Sequence, residues 1–289
     1  VVGSLFSKAF ETLTGDQKSS KVFAKSIEER KEMNPRAFRV ATFNANSIRS
    51  RLDQVLSWLV RYAPDVLALQ ETKVQDHEFP AEAFRQMGYY VVFRGQKAYA
   101  GVALVTREEP REASYGLDDG LGEADEARLI AAKVGGIPIV NTYVPQGREV
   151  GSPHFTYKLE WLRRLRSYFE RHYRPDEPLL WMGDLNVAPL EIDVHDPRGL
   201  CDHVDFHPLA EAIAWGFVDV FRRHHPDEPG QYTYWDYRVR GALERNIGWR
   251  VDHILATEPL ARRSTCAWID VDARRSERPS DHTFLVAEF

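Results

Sequence analysis

Cysteine is scarce: among 289 residues only Cys201 and Cys266 occur. Two thiols can form neither a disulfide framework nor a four-thiolate zinc site, and they read as reduced thiols in a cytoplasmic protein. No apolar run approaches the roughly 18 residues of a membrane span, and no basic start leads into an apolar signal segment. Eighteen glycines and 16 prolines are scattered without a period, which excludes collagen-like and low-complexity architectures. Positive charge is not in excess either, because 38 Lys and Arg face 43 Asp and Glu for a net of −5. Proteins that coat nucleic acid non-specifically are usually basic. The balance argues against such a coat, but not against a small basic rim around an acidic site.

Several catalytic templates are missing as well. There is no Gly-x-x-x-x-Gly-Lys-Ser/Thr phosphate loop, no Gly-x-Ser-x-Gly elbow and no His-Glu-x-x-His zinc helix. His224 and His225 are adjacent and read as surface residues, and His203 and His207 fall in a stretch with Asp and Pro that reads as loop.

What is present is core material, with 43% apolar and 12% aromatic residues. In residues 1–36, Leu5, Phe6, Phe10 and Leu13 could share one helical face and the stretch after Gly15 is Lys/Ser/Glu-rich, so this part reads as an N-terminal arm, partly helical or disordered. From residue 38, strand-length apolar runs recur at 38–43, 66–69, 89–93, 101–106, 129–134, 137–143, 179–182, 251–256 and 283–289. Helical spacing links Leu52, Val55, Leu56 and Leu59, and again Leu159, Leu162, Leu165 and Phe169 with Arg163, Arg164 and Arg166 outward. Leu209, Ile213 and Ala214 suggest a third helix, while 107–127 and 191–207 read as long loops. Nine to twelve strands exceed one doubly wound sheet. An α/β sandwich of two sheets with helices outside fits better, as one domain from 37 to 289.

Polar residues cluster at the ends of these runs. Asn44 and Asn46 follow the first and Glu71 the second. Tyr143 ends another, Asp184 and Asn186 follow 179–182, Asp252 opens one, and Asp281 and His282 precede the last. Strand ends of a packed sheet can converge on one rim. Carboxylate and amide oxygens suit a hard divalent ion, and the remaining groups include a proton acceptor and phosphate donors.

The motifs carry a resemblance. They run from Ala41-Thr-Phe-Asn-Ala-Asn-Ser-Ile-Arg-Ser-Arg-Leu52 through Leu69-Gln-Glu-Thr-Lys73, Gly95-Gln-Lys97, Tyr143-Val-Pro-Gln-Gly147 and Gly183-Asp-Leu-Asn-Val-Ala-Pro189. Trp215-Gly-Phe-Val-Asp-Val-Phe-Arg222, Tyr234-Trp-Asp-Tyr-Arg238, Arg250-Val-Asp-His-Ile-Leu255 and Ser280-Asp-His282 follow in order. From about residue 38 onward the chain resembles the exonuclease III family of apurinic/apyrimidinic endonucleases, within the endonuclease/exonuclease/phosphatase superfamily. Asn46 stands where some members carry Asp, Ser47 where Gly is common and Tyr234 where Trp is frequent.

The resemblance implies a four-layer sandwich of two mixed β-sheets, packed face to face and flanked by helices. It implies Mg²⁺-dependent cleavage of duplex DNA 5′ to abasic sites, with Mn²⁺ as a substitute, and 3′→5′ exonuclease and 3′-end-cleaning activity in varying measure. Glu71, Asn46 and Asp281 become the expected metal ligands. Asp184 would orient or deprotonate the attacking water, and Asn186 would hold a phosphate oxygen or the nucleophile. His282, fixed by Asp252, would donate to the scissile phosphate. Tyr143 would serve a phosphoryl oxygen or the leaving group, and Asn44 would anchor the network. Arg49, Lys73, Lys97 and Arg148 are candidate DNA-phosphate contacts, together with Arg51, Arg94 and Lys158. Tyr234 and Trp235 are candidates to line a pocket for an extruded baseless sugar. A monomer acting on abasic or 3′-blocked duplexes, without membrane contact, is expected. The competing readings are a superfamily phosphatase acting on a non-DNA phosphoester and a non-catalytic DNA-binding module.

Overall fold

The computed structural model describes residues 37–121, 127–203 and 210–289. The arm expected at 1–36 lies outside the described residues, as do His207 and Leu209 and parts of both expected loops. Among the described residues twelve strands form two six-stranded sheets. The first has the order β11 (Cys266–Asp270), β12 (Phe284–Glu288), β1 (Arg39–Asn44), β2 (Val66–Gln70), β4 (Val102–Thr106), β3 (Tyr90–Arg94), and the second β5 (Arg111–Tyr115), β6 (Leu129–Val134), β7 (Ile137–Tyr143), β8 (Leu180–Asp184), β10 (Asp252–Thr257), β9 (Phe217–Asp219). In the first sheet β1 (Arg39–Asn44) runs parallel to β2 (Val66–Gln70). In the second, β7 (Ile137–Tyr143) runs parallel to β8 (Leu180–Asp184). All other neighbours are antiparallel, so both sheets are mixed, as expected.

Strand alternation sorts the apolar residues into layers. Val40, Val66, Ala68, Leu104, Ile139, Leu180, Met182, Ile254 and Leu285 meet between the two sheets. The intervening residues Ala41, Phe43, Leu67, Leu69 and Val286 face outward, beneath Ile48, Val55, Trp58 and Leu59 of helix α1 (Ile48–Tyr62). On the opposite side Val140, Trp181 and Leu255 pack beneath Trp161, Leu162, Leu165 and Phe169 of a long helix, Pro153–His172. Two sheets and two helical covers make the four layers. The long helix is α3, after the short α2 (Ala81–Gln86).

Three expectations need correction. Residues 107–127 are not all loop, since β5 (Arg111–Tyr115) pairs with β6 (Leu129–Val134). Every β5 residue is exposed, so this edge strand carries no burial pattern to read. Leu159 points to solvent and Lys158 inward, because the buried stripe of α3 runs through 158, 161, 162, 165 and 169. Arg164 is not turned outward either, and its Nε donates to Asp119 Oδ2 at 2.6 Å. The third helix does form, as Ala210–Ile213.

A buried amide tie joins the sheets near one end. Gln70 Nε2 donates to Asn141 Oδ1 at 2.8 Å, and Asn141 Nδ2 donates to the carbonyls of Leu69 and Ala103 at 3.0 and 2.9 Å. On β8, Gly183 has φ +146° and lies opposite Thr142, where a Cβ would run into the Thr142 carbonyl oxygen. Gly183→Ala is expected to cost about 1–3 kcal/mol through backbone strain and overpacking, read as a lowered urea midpoint. An unchanged midpoint would refute the close approach.

Candidate active site

Each parallel pair ends its two strands side by side, so their carboxyl ends open on the same rim, a favoured ligand position in α/β sheets. Asn44 lies opposite Gln70, one residue before Glu71, and Tyr143 lies opposite Asp184. Antiparallel β10 (Asp252–Thr257) starts there, with Asp252 opposite Asp184. The last strand, β12 (Phe284–Glu288), is entered through Asp281 and His282. Stacking the sheets face to face brings all these groups together.

Asn44 is the junction. Its Nδ2 donates to Glu71 Oε1 at 2.7 Å and to Asp184 Oδ2 at 2.8 Å, bridging the first sheet to the second. Its Oδ1 accepts from the Asn46 amide at 2.9 Å, and Asn46 Nδ2 donates to Asp281 Oδ1 at 2.9 Å. The Asn186 amide donates to Asp184 Oδ1 at 2.9 Å, while its Nδ2 reaches the Val144 carbonyl at 3.0 Å. His282 pairs through Nδ1 with Asp252 Oδ2 at 2.8 Å and turns Nε2 to within 3.9 Å of Asp184 Oδ2.

The loops that carry these groups are strained. Among the described residues twelve non-glycine positions have positive φ, and Asn46, Ser47, Glu71, Lys73, Arg148 and Asn186 are six of them. Each left-handed residue costs on the order of 1–2 kcal/mol, and such strain gathers where surrounding contacts hold a site in shape. Backbone bonds do this here: Ser47 N donates to Glu71 O at 2.8 Å and Val144 N to Asp184 O at 2.9 Å.

Burial and charge set the protonation pattern. Asp184 is pushed up to about 8 by desolvation and by the carboxylates of Asp252 and Glu71, with His282 opposing. His282 loses solvation too, yet Asp252 and Asp184 lift it to about 10, which favours the imidazolium at neutral pH. Burial, then Glu71 and Asp184, holds the Tyr143 phenol well above its usual range, so it is a neutral donor.

A cavity of about 350 Å³ opens on this network. Asn46, Glu71, Tyr143, Asn186, Asp281 and His282 form its polar floor, and Tyr234, Trp249 and Val251 stand among its walls. The donor set fits a hard cation. Glu71 Oε2 and Asn46 Oδ1 both turn to the Lys73 ammonium, at 2.7 and 2.5 Å, and oxygen atoms are what Mg²⁺ or Mn²⁺ requires. Glu71, Asp184 and His282 also place one potential ligand atom each within 4.8 Å of one another.

All nine expected catalytic and metal positions therefore meet around one network. The expected DNA contacts are less uniform. Arg148 is exposed on a neighbouring cavity of about 380 Å³ that shares Glu71, Lys73 and Tyr143. Arg49 is exposed beside Glu78, its Nη1 donating at 3.1 Å, and Lys97 is exposed but lines neither cavity. Lys73 belongs to the acidic floor rather than the outer rim. Two expectations fail. Trp235 is buried, its Nε1 donating to Asn246 Oδ1 at 3.2 Å, and does not line the cavity, whereas Trp249 does. Lys158 is fully buried and cannot meet a DNA phosphate.

Sequence reasoning also missed His195 and Gln146 in the cavity lining and set His203 aside as a loop residue, because loop residues carry no periodic signal. Trp249 had one usable cue: it directly precedes Arg250 and the strand that begins at Asp252.

The chain is similar to exodeoxyribonuclease III of Haemophilus influenzae, with 34% identity over 268 residues, covering 86% of this chain and 98% of that protein. Its fold matches an AP endonuclease from Archaeoglobus fulgidus with a TM-score of 0.85 and 49% identity, over 87% of this chain and 99% of the other. A 3′ phosphatase, NExo, from Neisseria, solved with a product DNA hairpin, matches with a TM-score of 0.81 and 35% identity, over 88% of this chain and 99% of the other. The endonuclease/exonuclease/phosphatase family model matches residues 41–282, a span that contains every group of the network, and the chain belongs to that family.

Proposed function

We propose that this protein is a DNA-repair phosphodiester hydrolase that incises duplex DNA 5′ to abasic sites and also clears 3′-blocked ends. The observation that carries the reading is the Asn44 bridge, which brings Glu71 of one sheet and Asp184 of the other to a single amide. Three relatives whose names are exodeoxyribonuclease III, AP endonuclease and 3′ phosphatase support the substrate class. Residues 37–289 act as one catalytic domain, and as a monomer. Among the described residues no helix is long and apolar enough to cross a membrane.

Glu71, Asn46 and Asp281 would hold a divalent cation, Mg²⁺ with Mn²⁺ as its substitute. When bound, that ion supplies charge relief to the phosphoryl oxygens and the leaving oxygen. The chain's own groups do the rest. Asp184 takes the proton of the attacking water, and Asn186 holds that water or a phosphoryl oxygen beside it. His282, oriented by Asp252, donates a charged hydrogen bond to the scissile phosphate, stronger than a neutral one. Tyr143, kept neutral, donates a hydrogen bond to a phosphoryl oxygen or to the leaving oxygen. Tyr234, Trp249 and Val251 receive the baseless sugar, which is cheap to extrude because its pairing and stacking are gone. The exposed Arg148, Arg49 and Lys97 meet flanking phosphates.

The test is a time course on a duplex with one tetrahydrofuran site, an intact blunt duplex and a nicked duplex bearing a 3′-phosphate, each with Mg²⁺ or with EDTA. Metal-dependent incision of the first is expected. Hydrolysis of a non-DNA phosphoester with no cut in any duplex would replace this reading by the phosphatase one.

The same assay across pH has a definite sign. A raised carboxyl must lose its proton to act as a base, so kcat rises with pH towards the Asp184 value of about 8. It falls once the His282 imidazolium deprotonates near pH 10. A bound cation favours the ionised carboxylate and moves the rising limb to lower pH. A rate that declines from pH 6 to 8 would contradict the assignment.

A further inference from the structure

Lys158 lies on the inward stripe of α3 and is fully buried. Its Nζ donates to two backbone carbonyls, Asn186 O at 2.6 Å and Gln146 O at 3.3 Å. These belong to the two loops that leave the parallel strands β7 and β8 at the site. Burying a lysine among aromatic and aliphatic neighbours is costly, so its contacts have to return something.

What they hold is a strained residue. Asn186 has φ +48°. Its amide N donates to Asp184 Oδ1, and its Nδ2 donates to Val144 O and, at 3.3 Å, to Asp184 Oδ2. The peptide conformation therefore determines where the side chain stands in the cavity and how Asp184 is gripped. Lys158 grips the carbonyl of that peptide from beneath, and through Gln146 it ties in the loop that continues to Arg148. The helix is itself anchored to this loop, since Ser152 caps α3 by accepting from Phe155 N at 3.2 Å and its Oγ reaches Gly147 O at 3.2 Å.

We propose that Lys158 is a positioning residue for phosphodiester cleavage: it fixes Asn186, and through it Asp184, without touching DNA. The proposal rests on the nuclease reading of the site. Displacing a positioned group by about 1 Å can cost roughly 10²-fold in rate, and Lys158 sets the distance between the helix and both loops.

The test compares wild type, Lys158→Met, Lys158→Arg, Asn186→Ala and the Lys158→Met/Asn186→Ala double variant on the tetrahydrofuran duplex with Mg²⁺. Lys158→Met is expected to lower kcat by about 30–100-fold while KM shifts by less than about threefold. Lys158→Arg, which keeps donors at this place, is expected to retain more activity than Lys158→Met. The double variant is expected to be no slower than Asn186→Ala alone by more than about threefold, because the two residues act as one unit. Losses that multiply in the double variant would overturn the proposal. So would a raised KM with a shallower salt dependence, the mark of a phosphate contact, or a wild-type kcat in Lys158→Met. Circular dichroism and the thermal midpoint verify folding. If Met is not accepted, Lys158→Gln is read on the same axes, and if neither folds, the residue serves the fold and the positioning role falls. Should wild type itself not cut, the nuclease reading fails; should wild type and Lys158→Met cut alike, only the positioning role does.

Discussion

Asp184→Asn is expected to lower kcat for abasic-site incision by about 10²–10⁴-fold, the usual cost of removing a proton-transfer group. The variant stays folded. Its amide removes a carboxylate that Glu71 and Asp252 repel, yet it sets a donor against Asn44 Nδ2, which now donates to Asp184 Oδ2 at 2.8 Å. These changes oppose each other, so the thermal midpoint is expected to move by no more than about 2–4 °C, as for a change near 1 kcal/mol in a chain of this size. KM for the DNA is expected to change little, since Asp184 is almost wholly buried beneath the substrate surface. A kcat within tenfold of wild type would remove Asp184 from the chemistry.

The second large effect is on stability. Asp193 is fully buried. It accepts from Arg250 Nε and Nη2 at 2.7 and 2.9 Å and from Arg222 Nε and Nη2 at 3.0 and 2.5 Å. Arg250 also meets Asp219 Oδ2 at 2.7 Å and His253 Nδ1 at 3.0 Å, and His253 Nε2 contacts the Val187 carbonyl at 2.8 Å. Asp193→Ala leaves the Arg250 guanidinium with Asp219 and the Arg222 guanidinium with backbone carbonyls only, and breaking such a buried set costs about 3–5 kcal/mol. A large fall in the urea midpoint is expected, and a loss below about 1 kcal/mol would show that the set is not needed. Burial opposes ionisation, but Arg250 and Arg222 prevail and hold the Asp193 carboxyl below its usual range. A lowered carboxyl contributes stability above its ordinary value of 3.8 and loses it as pH falls through the folded value. Wild type is therefore expected to outlast the variant most clearly at neutral pH, with the gap closing in strong acid.

The two results would weigh different parts of the chain, and those parts were unequally legible. Asp184, Glu71 and His282 stood out because each follows or precedes an apolar run, and strand ends must gather when two sheets close on each other. Lys158 was misread because a charged residue at a helical position is ordinarily turned to water; only the packed helix shows that 158 shares the stripe of Trp161 and Leu165. Trp235 and Trp249 are alike in sequence, both in polar stretches between strands. The bridge that pairs Tyr234 with both Trp249 and His282 brings Trp249 to the cavity. The Asp193 set was invisible for another reason. Its members lie up to 57 residues apart, and nothing local marks one buried charge as the partner of another. Strand β5 escaped because an exposed edge has no inside to reveal.

The division of the site between two sheets bears on how the enzyme comes to life. Glu71 extends from the first sheet and Asp184 from the second, and Asn44 bridges them. Neither sheet by itself supplies both carboxylates. During refolding, the return of hydrolytic activity is therefore expected to follow the joining of the two sheets rather than the formation of either one.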